Sequence, residues 1–336
     1  MKPIYVCLAT DDNYIPLASV AIASLLESNK KTKRLEIFLL DSGISNFNKD
    51  ILIKQVNKYR RKIHFIDVSP DLEGLKKLGT NPQGRYQSYA AYARFFVINY
   101  LPEYVDRLLY IDCDVCICGE LNELFELNLD DWWLGAVIDI LPNFHKTTIG
   151  FEQTDLYFNS GVLLFNCENW RKEKILQKIK NHLSTIGCSY SFHDQDIINL
   201  VCKQKIYPLN PRYMAFLPEY TWNKNGILQL SQLNKNAYYT QEEIHHAAIN
   251  PIIIHYVESI YGRPWYKGCE SKYFDPWNEA LKYSPFAESF TYVDKKNSVA
   301  HLLLRKMYSI LPKKVFIAIY KSRKNKVLVE REKKYE

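Results

Sequence analysis

The sequence has no uninterrupted apolar run of about 18 residues, which excludes a membrane-spanning helix. Its 12 glycines and 14 prolines are few for 336 residues, which argues against collagen-like repeats and long disordered linkers. It lacks Gly-x-Gly-x-x-Gly and Gly-x4-Gly-Lys, so neither a dinucleotide fold nor a P-loop has support. Its eight cysteines form no regular ladder in a small chain and read as reduced thiols. Cys113-x-x-Cys116 has no second pair to complete a tetrahedral zinc site. Asp11 and Asp12 cut the first apolar run too short for a secretory signal. Together these absences predict a cytoplasmic protein. There is no internal repeat and no low-complexity segment.

What is present is a 47% apolar and 24% charged composition, suited to a large globular core. The net charge of +7 hides a division. Residues 295–336 carry 13 Lys and Arg against 3 Glu, while the other 294 residues carry 31 against 34 Asp and Glu. The body is near neutral, and any anionic partner belongs to the tail.

Short apolar runs alternate with helical spacing. Runs at 4–9, 35–40, 62–68, 107–111, 133–138, 157–165 and 251–254 read as strands. Helices are expected after the first run, at 46–59, at 89–101 before Pro102, and from His193. Strand–helix alternation predicts an α/β protein with a mostly parallel sheet covered on both faces.

Several of these strands end in a carboxylate: Asp11, Asp41, Asp112 and Asp139. Open α/β sheets bind ligands beyond the carboxyl ends of their strands. Acids gathered there suit a cation or a polyhydroxyl ligand, although Asp also caps turns for purely structural reasons. With 17 Asp in the chain, chance supplies about one Asp-x-Asp, and Asp194-x-Asp196 is indeed a second. Asp112-x-Asp114 gains weight from context, because it follows Leu-Leu-Tyr-Ile directly. Two hard oxygen ligands suit Mg2+, Mn2+ or Ca2+, and His255, at the end of Ile-Ile-Ile, would tilt the choice toward Mn2+. A nearby cation, Arg263, could hold a diphosphate where no glycine-rich cradle exists.

Nine blocks in a fixed order carry a resemblance over roughly residues 3–270. They are Ala9-Thr-Asp-Asp-Asn-Tyr14, Leu40-Asp-Ser-Gly-Ile-Ser45, Phe65-Ile-Asp-Val68, Tyr92-Ala-Arg94, Leu109-Tyr-Ile-Asp-Cys-Asp-Val115, Gly135-Ala-Val-Ile-Asp139, Tyr157-Phe-Asn-Ser-Gly-Val-Leu-Leu164, Asp194-Gln-Asp-Ile197, and His255-Tyr256 with Arg263-Pro-Trp265. The chain resembles glycosyltransferase family 8, retaining enzymes of the GT-A, nucleotide-diphospho-sugar transferase fold. It is most similar to the bacterial lipooligosaccharide and lipopolysaccharide galactosyl- and glucosyltransferases.

The resemblance implies a donor site for a UDP-sugar. Ala9, Thr10, Asp11, Asn13 and Tyr14 match the loop around uracil and ribose. Asp112 and Asp114, with Cys113 between them, match the metal-binding pair, and His255 matches the third ligand of Mn2+, with Mg2+ the alternative. Arg94, Asp139, Asn159 and Gly161 match residues around the donor sugar. Asp194 and Gln195 match the catalytic pair beneath the anomeric carbon. Arg263 stands where the family usually has lysine, keeping the charge but presenting a flat fork. The stretch from His255 to Arg263 is about two residues longer than in close relatives. Near Tyr86 the acceptor loop departs from the lactose-binding pattern, so lactose is not carried over. A non-catalytic UDP-sugar sensor is the rival reading of the same residues, and transfer to a protein or glycoprotein acceptor is the other alternative.

The division predicted is 1–275 catalytic and 276–336 a basic amphipathic membrane-association segment. Ala300, Leu303, Leu304, Met307, Tyr308 and Leu311 lie on one helical stripe flanked by Arg305 and Lys306. The basic tail could also suggest nucleic acid, but its apolar stripe favours an anionic membrane surface. The expected partners are therefore a UDP-sugar, a lipid-linked saccharide acceptor and the inner face of the cell membrane, with no nucleic acid.

Overall fold

The computed structural model describes residues 2–332 except 78–88, 187–189, 216–222, 234–237, 258, 260, 272 and 295–298. Tyr86 therefore lies outside the described residues. The strands are β1 (Ile4–Thr10), β2 (Leu35–Asp41), β3 (Lys62–Asp67), β4 (Arg107–Ile111), β5 (Val115–Ile117), β6 (Leu134–Ile138), β7 (Phe158–Asn166), β8 (Ile206–Pro208) and β9 (Ile253–His255). Seven form one sheet in the order β3-β2-β1-β4-β7-β6-β8, and β5 pairs with β9. β3, β2, β1 and β4 run parallel, as do β6 and β8.

Burial follows from the pattern. β2, β4 and β6 are buried along their whole length, as continuous apolar strands in a sheet covered on both faces should be. β3 is an edge strand with exposed ends, and its sequence carries Lys62, His64 and Asp67. Helix α1 (Ile15–Ser28) begins with Pro at its first turn, where a missing N–H costs nothing, and buries nearly its full circumference. Helix α2 (Asn46–Asn57) is capped by Ser45, whose side chain accepts from Asn48 N.

β7 runs antiparallel to both neighbours. Its register sets Ile111 beside Val162, so Asn159, Ser160 and Gly161 lie next to the carboxyl end of β4. Asp112 N donates to Gly161 O at 2.9 Å, extending that contact past the strand. The reversed strand is thus what brings the Asn159–Gly161 segment to the Asp112 end of the sheet.

The helix expected over 89–101 is instead a 3-10 run, Tyr89–Phe95, followed by one α-turn, Val97–Tyr100. Tyr92, Ala93, Arg94, Phe95 and Phe96 are all buried, so side chains are gripped on every side rather than along one helical stripe.

Further along lie α3 (His193–Val201), α4 (Lys224–Ser231), α5 (Phe274–Lys282), α6 (Val299–Ile310) and α7 (Lys313–Glu332). The expected boundary at residue 275 falls inside α5. That helix packs on α1, with Trp277 buried 6.1 Å from the Trp265 ring. The tail stripe also turns out differently from the expectation of a free membrane face. Leu304 is buried with Phe316, and Met307, Tyr308 and Leu311 close around them beside Tyr261 of the body. The outward apolar residues are Leu302, Leu303 and Ile310, with Val315 and Ile319 on α7. Amphipathic spacing marks an apolar face but not what covers it. Among the described residues no helix is long and apolar enough to cross a membrane.

Candidate active site

A cleft of about 400 Å3 opens at the carboxyl ends of β1 and β4. The sequence-predicted residues Ala9, Thr10, Asp11, Tyr14, Arg94 and Asp112 line it. So do Cys113, Asp114, Asp194, Gln195 and Arg263. Asn13 is exposed outside the lining, and Asp139, Asn159, Gly161 and His255 form a layer just behind it.

The first corner of the cleft is built by two strands of three residues. β5 begins at Val115, which pairs with His255 of β9, and this sets the imidazole across from the Asp112–Asp114 turn. His255 Nε2 lies 3.1 Å from Asp114 Oδ1 and 4.0 Å from Asp112 Oδ2. One ligand atom from each of the three lies within 4.8 Å of the others. Gly161 leaves the room for this. A Cβ there would stand 2.4 Å from His255 Cε1 and 3.0 Å from Asp112 Oδ2. Arg263 Nη1 reaches Asp114 Oδ2 at 3.5 Å, and its guanidinium lies over the Trp265 ring at 5.4 Å.

Charges here compensate one another. Burial works to raise the Asp114 pKa, but His255 and Arg263 outweigh it and hold the carboxyl down at about 2. Burial works to lower that of His255, and the Asp114 carboxylate reverses this and raises it. Cys113 takes no part in the cluster. Its Sγ donates to Ala9 O at 3.3 Å, and burial pushes the thiol up, so it stays neutral.

The second corner is the floor. Arg94 is fully buried and joins the two corners. Its Nη2 donates to Asp112 Oδ1 at 2.9 Å, and its Nε lies 3.2 Å from Asp194 Oδ2. Its guanidinium lies over Tyr110 at 4.5 Å, and Nη1 donates to Ser160 O. Burial opposes the Arg94 charge, but Asp112 and Asp194 overcome it and raise the pKa. Asp194 is in the opposite position. Burial raises it to about 6, Asp112 adds to that, and the nearby Arg94 offsets only part.

Asp194 and Gln195 open α3, directly after His193 at φ +44°, a left-handed backbone that non-glycine residues adopt at a cost. Gln195 is held on three sides: Oε1 accepts from Ser160 N at 3.1 Å, and Nε2 donates to Asp139 Oδ2 at 3.0 Å and to the Tyr157 hydroxyl at 3.2 Å. Asp139 Oδ2 also accepts from Asn159 Nδ2 at 2.8 Å. Behind them Asp196 is completely buried between His145 at 2.9 Å and the Tyr157 hydroxyl at 2.5 Å.

Two of the strand-end acids serve the backbone. Asp41 accepts from Gly43 N and Ile44 N and pairs with Lys49. Asp11 accepts from Asn13 N and Tyr14 N, shaping the loop that presents the exposed Tyr14 ring at the cleft. Residues the sequence reading passed over are Tyr110 and Ser160. Ser160 Oγ donates to Asp194 Oδ2 at 2.9 Å, and the Tyr110 hydroxyl donates to Asp112 Oδ1 at 3.2 Å. Their signal was position, since Ser160 sits between Asn159 and Gly161 and Tyr110 stands two residues before Asp112, on the strand that leads into the acidic pair.

Residues 5–268 match the family model described as glycosyl transferase family 8, and the chain belongs to that family. A lipopolysaccharide 1,2-glucosyltransferase from Escherichia coli is 28% identical over 316 residues, covering 89% of this chain and 85% of its own. A Haemophilus influenzae protein to which a glycosyltransferase activity has been ascribed is 30% identical over 213 residues, 62% of each chain. Among solved structures, that of the galactosyltransferase LgtC in complex with donor and acceptor sugar analogues is similar at a TM-score of 0.69 and 26% identity. It covers 87% of this chain and 98% of that one. The fold is that of the GT-A glycosyltransferases, and the chain is a glycosyltransferase similar to those that build lipopolysaccharide.

Proposed function

We propose that this chain is a retaining hexosyltransferase that moves galactose or glucose from a UDP-sugar to a saccharide acceptor on a lipid-linked cell-surface glycan. The observation that carries this is the convergence of Asp112, Asp114 and His255 within 4.8 Å, across one cleft from Asp194 and Gln195. Two carboxylates and an imidazole are a donor set that suits Mn2+, with Mg2+ second. The space kept open by Gly161 and the mutual charge compensation of Asp114 and His255 fit a cation at that corner. Held there, the ion would supply Lewis-acid stabilisation of the negative charge that develops on the departing diphosphate.

The chain's own residues do the rest. Arg263 adds a second positive charge for the diphosphate and offers its planar fork to the phosphate oxygens. Tyr14 and the Asp11 loop offer a ring and backbone groups to the nucleoside. Asp194 faces the point where positive charge grows on the sugar ring, and its half-stabilised carboxylate favours that charge. Gln195 is an amide with all of its polar atoms engaged, and so a poor nucleophile. This supports attack on the same face as departure, with the leaving UDP oxygen taking the acceptor's proton.

The reading extends to location. The basic hairpin α6–α7 would hold the enzyme on the cytoplasmic face of the membrane, through the outward Leu302, Leu303 and Ile310 and the surrounding lysines and arginines. Replacing Leu303 and Ile310 by Asp should abolish binding to anionic vesicles while leaving catalysis on soluble acceptors intact. Unchanged vesicle binding would refute this placement.

Release of UDP from a panel of UDP-sugars tests the activity, with NMR of the product's anomeric centre. UDP-galactose or UDP-glucose should be consumed in a Mn2+-dependent way with retention. A metal-independent reaction, or an inverted product, would overturn the reading.

A further inference from the structure

Behind the floor of the cleft lies a buried polar network that the proposed reaction does not use. Its hub is Asp196, completely buried and one residue after Gln195. Three donors face its carboxyl. His145, on the short helix Asn143–Thr148, brings Nε2 to 2.9 Å from Oδ1, and the Tyr157 hydroxyl donates to the same oxygen at 2.5 Å. Phe192 N donates to Oδ2 at 2.9 Å. His145 and Tyr157 are buried beside it, their rings meeting edge to face at 5.9 Å.

A buried polar cluster costs desolvation, and an apolar replacement of similar volume is often no less stable. What the cluster supplies is direction. Tyr157 has one hydroxyl proton, and Asp196 takes it. Burial, with the Asp196 charge adding to it, pushes the phenol well above its ordinary range, so that proton stays in place. Toward Gln195 the hydroxyl therefore presents only a lone pair, and Gln195 Nε2 donates to it at 3.2 Å. Asp139 Oδ2 is a second acceptor for Nε2 at 3.0 Å, and Ser160 N donates to Oε1 at 3.1 Å. All three contacts favour one orientation of the amide. Turned over, Oε1 would meet two acceptors and Nε2 a donor. The bond between Ser160 N and Oε1 ties α3 to β7, and Ser160 Oγ in turn donates to Asp194 Oδ2 at 2.9 Å. On the other side, the bond from Phe192 N fixes the turn that enters α3 through His193. Asp196 thus bears on Asp194 along two routes.

We propose that Asp196, His145 and Tyr157 are positioning residues, which fix the Gln195 amide in one orientation and so hold Gln195 and Asp194 in place beneath the reacting sugar. That a sugar reacts above this floor rests on the transferase reading; the orientation of the amide does not.

The test uses the full-length chain and Tyr157→Phe, which removes one oxygen and leaves the ring packed on His145 and Phe151. Wild-type protein that binds no UDP with Mn2+, or consumes no UDP-hexose, overturns the transferase reading, and NMR alone then decides whether the network fixes the amide. In proton–nitrogen correlation spectra the Gln195 side-chain amide is identified by its absence from Gln195→Ala. Tyr157→Phe should move one of the Gln195 amide protons upfield, because that proton loses its acceptor. It should lower kcat by about tenfold, the worth of one buried hydrogen bond, and keep UDP affinity within about twofold. Asp196→Asn breaks the same chain of bonds from its far end. It should move the same resonance, and it stands in if Tyr157→Phe does not fold. A merely structural role would lower the thermal midpoint and leave the Gln195 amide and kcat where they were. A Gln195 amide that does not move, an unchanged kcat, or a loss of UDP affinity equal to the loss of kcat would each overturn the proposal.

Discussion

Asp114, half-buried, and Asp194, buried, are carboxylates on opposite sides of one cleft, and they are displaced in opposite directions. Asp114 is held at about 2 because His255 and Arg263 outweigh its burial. Asp194 is pushed up to about 6 because burial and Asp112 outweigh Arg94. At the corner of Asp112, Asp114 and His255, opposite charges already compensate one another. The floor carries a carboxylate whose charge is under-compensated, and a positive charge developing above it gains from that. On the proposed function, the first corner serves binding and the second the reaction.

The largest effect should come from breaking the balanced corner. Asp112→Ala should remove Mn2+-dependent UDP binding and lower turnover by on the order of a thousandfold or more, because the diphosphate charge is left uncompensated. Equal UDP affinity with and without metal in the wild type would defeat the comparison at once. Gly161→Ala should come close behind. Its Cβ would meet His255 at 2.4 Å, so metal affinity should fall even though no ligand is altered. A metal titration followed by tryptophan fluorescence checks it.

The floor should respond differently. Asp194→Asn should cut kcat by about a hundredfold or more while UDP affinity stays within about threefold. Loss of both together would mean that Asp194 only shapes the start of α3. Its pH dependence carries a definite sign. With a folded pKa of about 6, the native state binds a proton that the unfolded chain releases near pH 4, so stability falls as pH rises through that window. The amount is on the order of 3 kcal/mol. The difference in stability between wild type and Asp194→Asn, followed by urea unfolding from pH 4 to 7, should show that slope and then level off. Asp114 should contribute the reverse, stability present above pH 4 and lost as the pH falls toward 2. The smallest effect should be Ser160→Ala, which removes one hydrogen bond to Asp194 and should cost about 1 kcal/mol and a few-fold in kcat.

The strands were legible because short apolar runs stood out between polar stretches, several ending in acids, and all seven were located to within two residues. The acids themselves were ambiguous. Asp41 and Asp11 show why, since an aspartate at a strand end caps a turn as readily as it meets a ligand. Two things were not legible. The reversed direction of β7 depends on where a 19-residue connection chooses to return, and nothing in its apolar run records direction. The β5–β9 pair is too short to leave a periodic signal, although it sets His255 opposite Asp114. The tail shows a related limit of the sequence. Its stripe was read correctly as apolar, but the spacing did not record that Leu304 packs on Phe316.

That short pairing also governs when the cluster of Asp112, Asp114 and His255 comes together. Asp114 and His255 are separated by 141 positions in the chain, and the intervening residues supply β6, β7, β8 and α3, which carries Asp194 and Gln195. A contact of such long range forms late, after the sheet has condensed. During synthesis a nascent chain that has not yet emerged past β9 has two carboxylates and no third ligand. On the proposed function, a bound ion would therefore stabilise only a nearly finished molecule, and its removal should speed unfolding of the completed chain more than it slows the early steps of its folding.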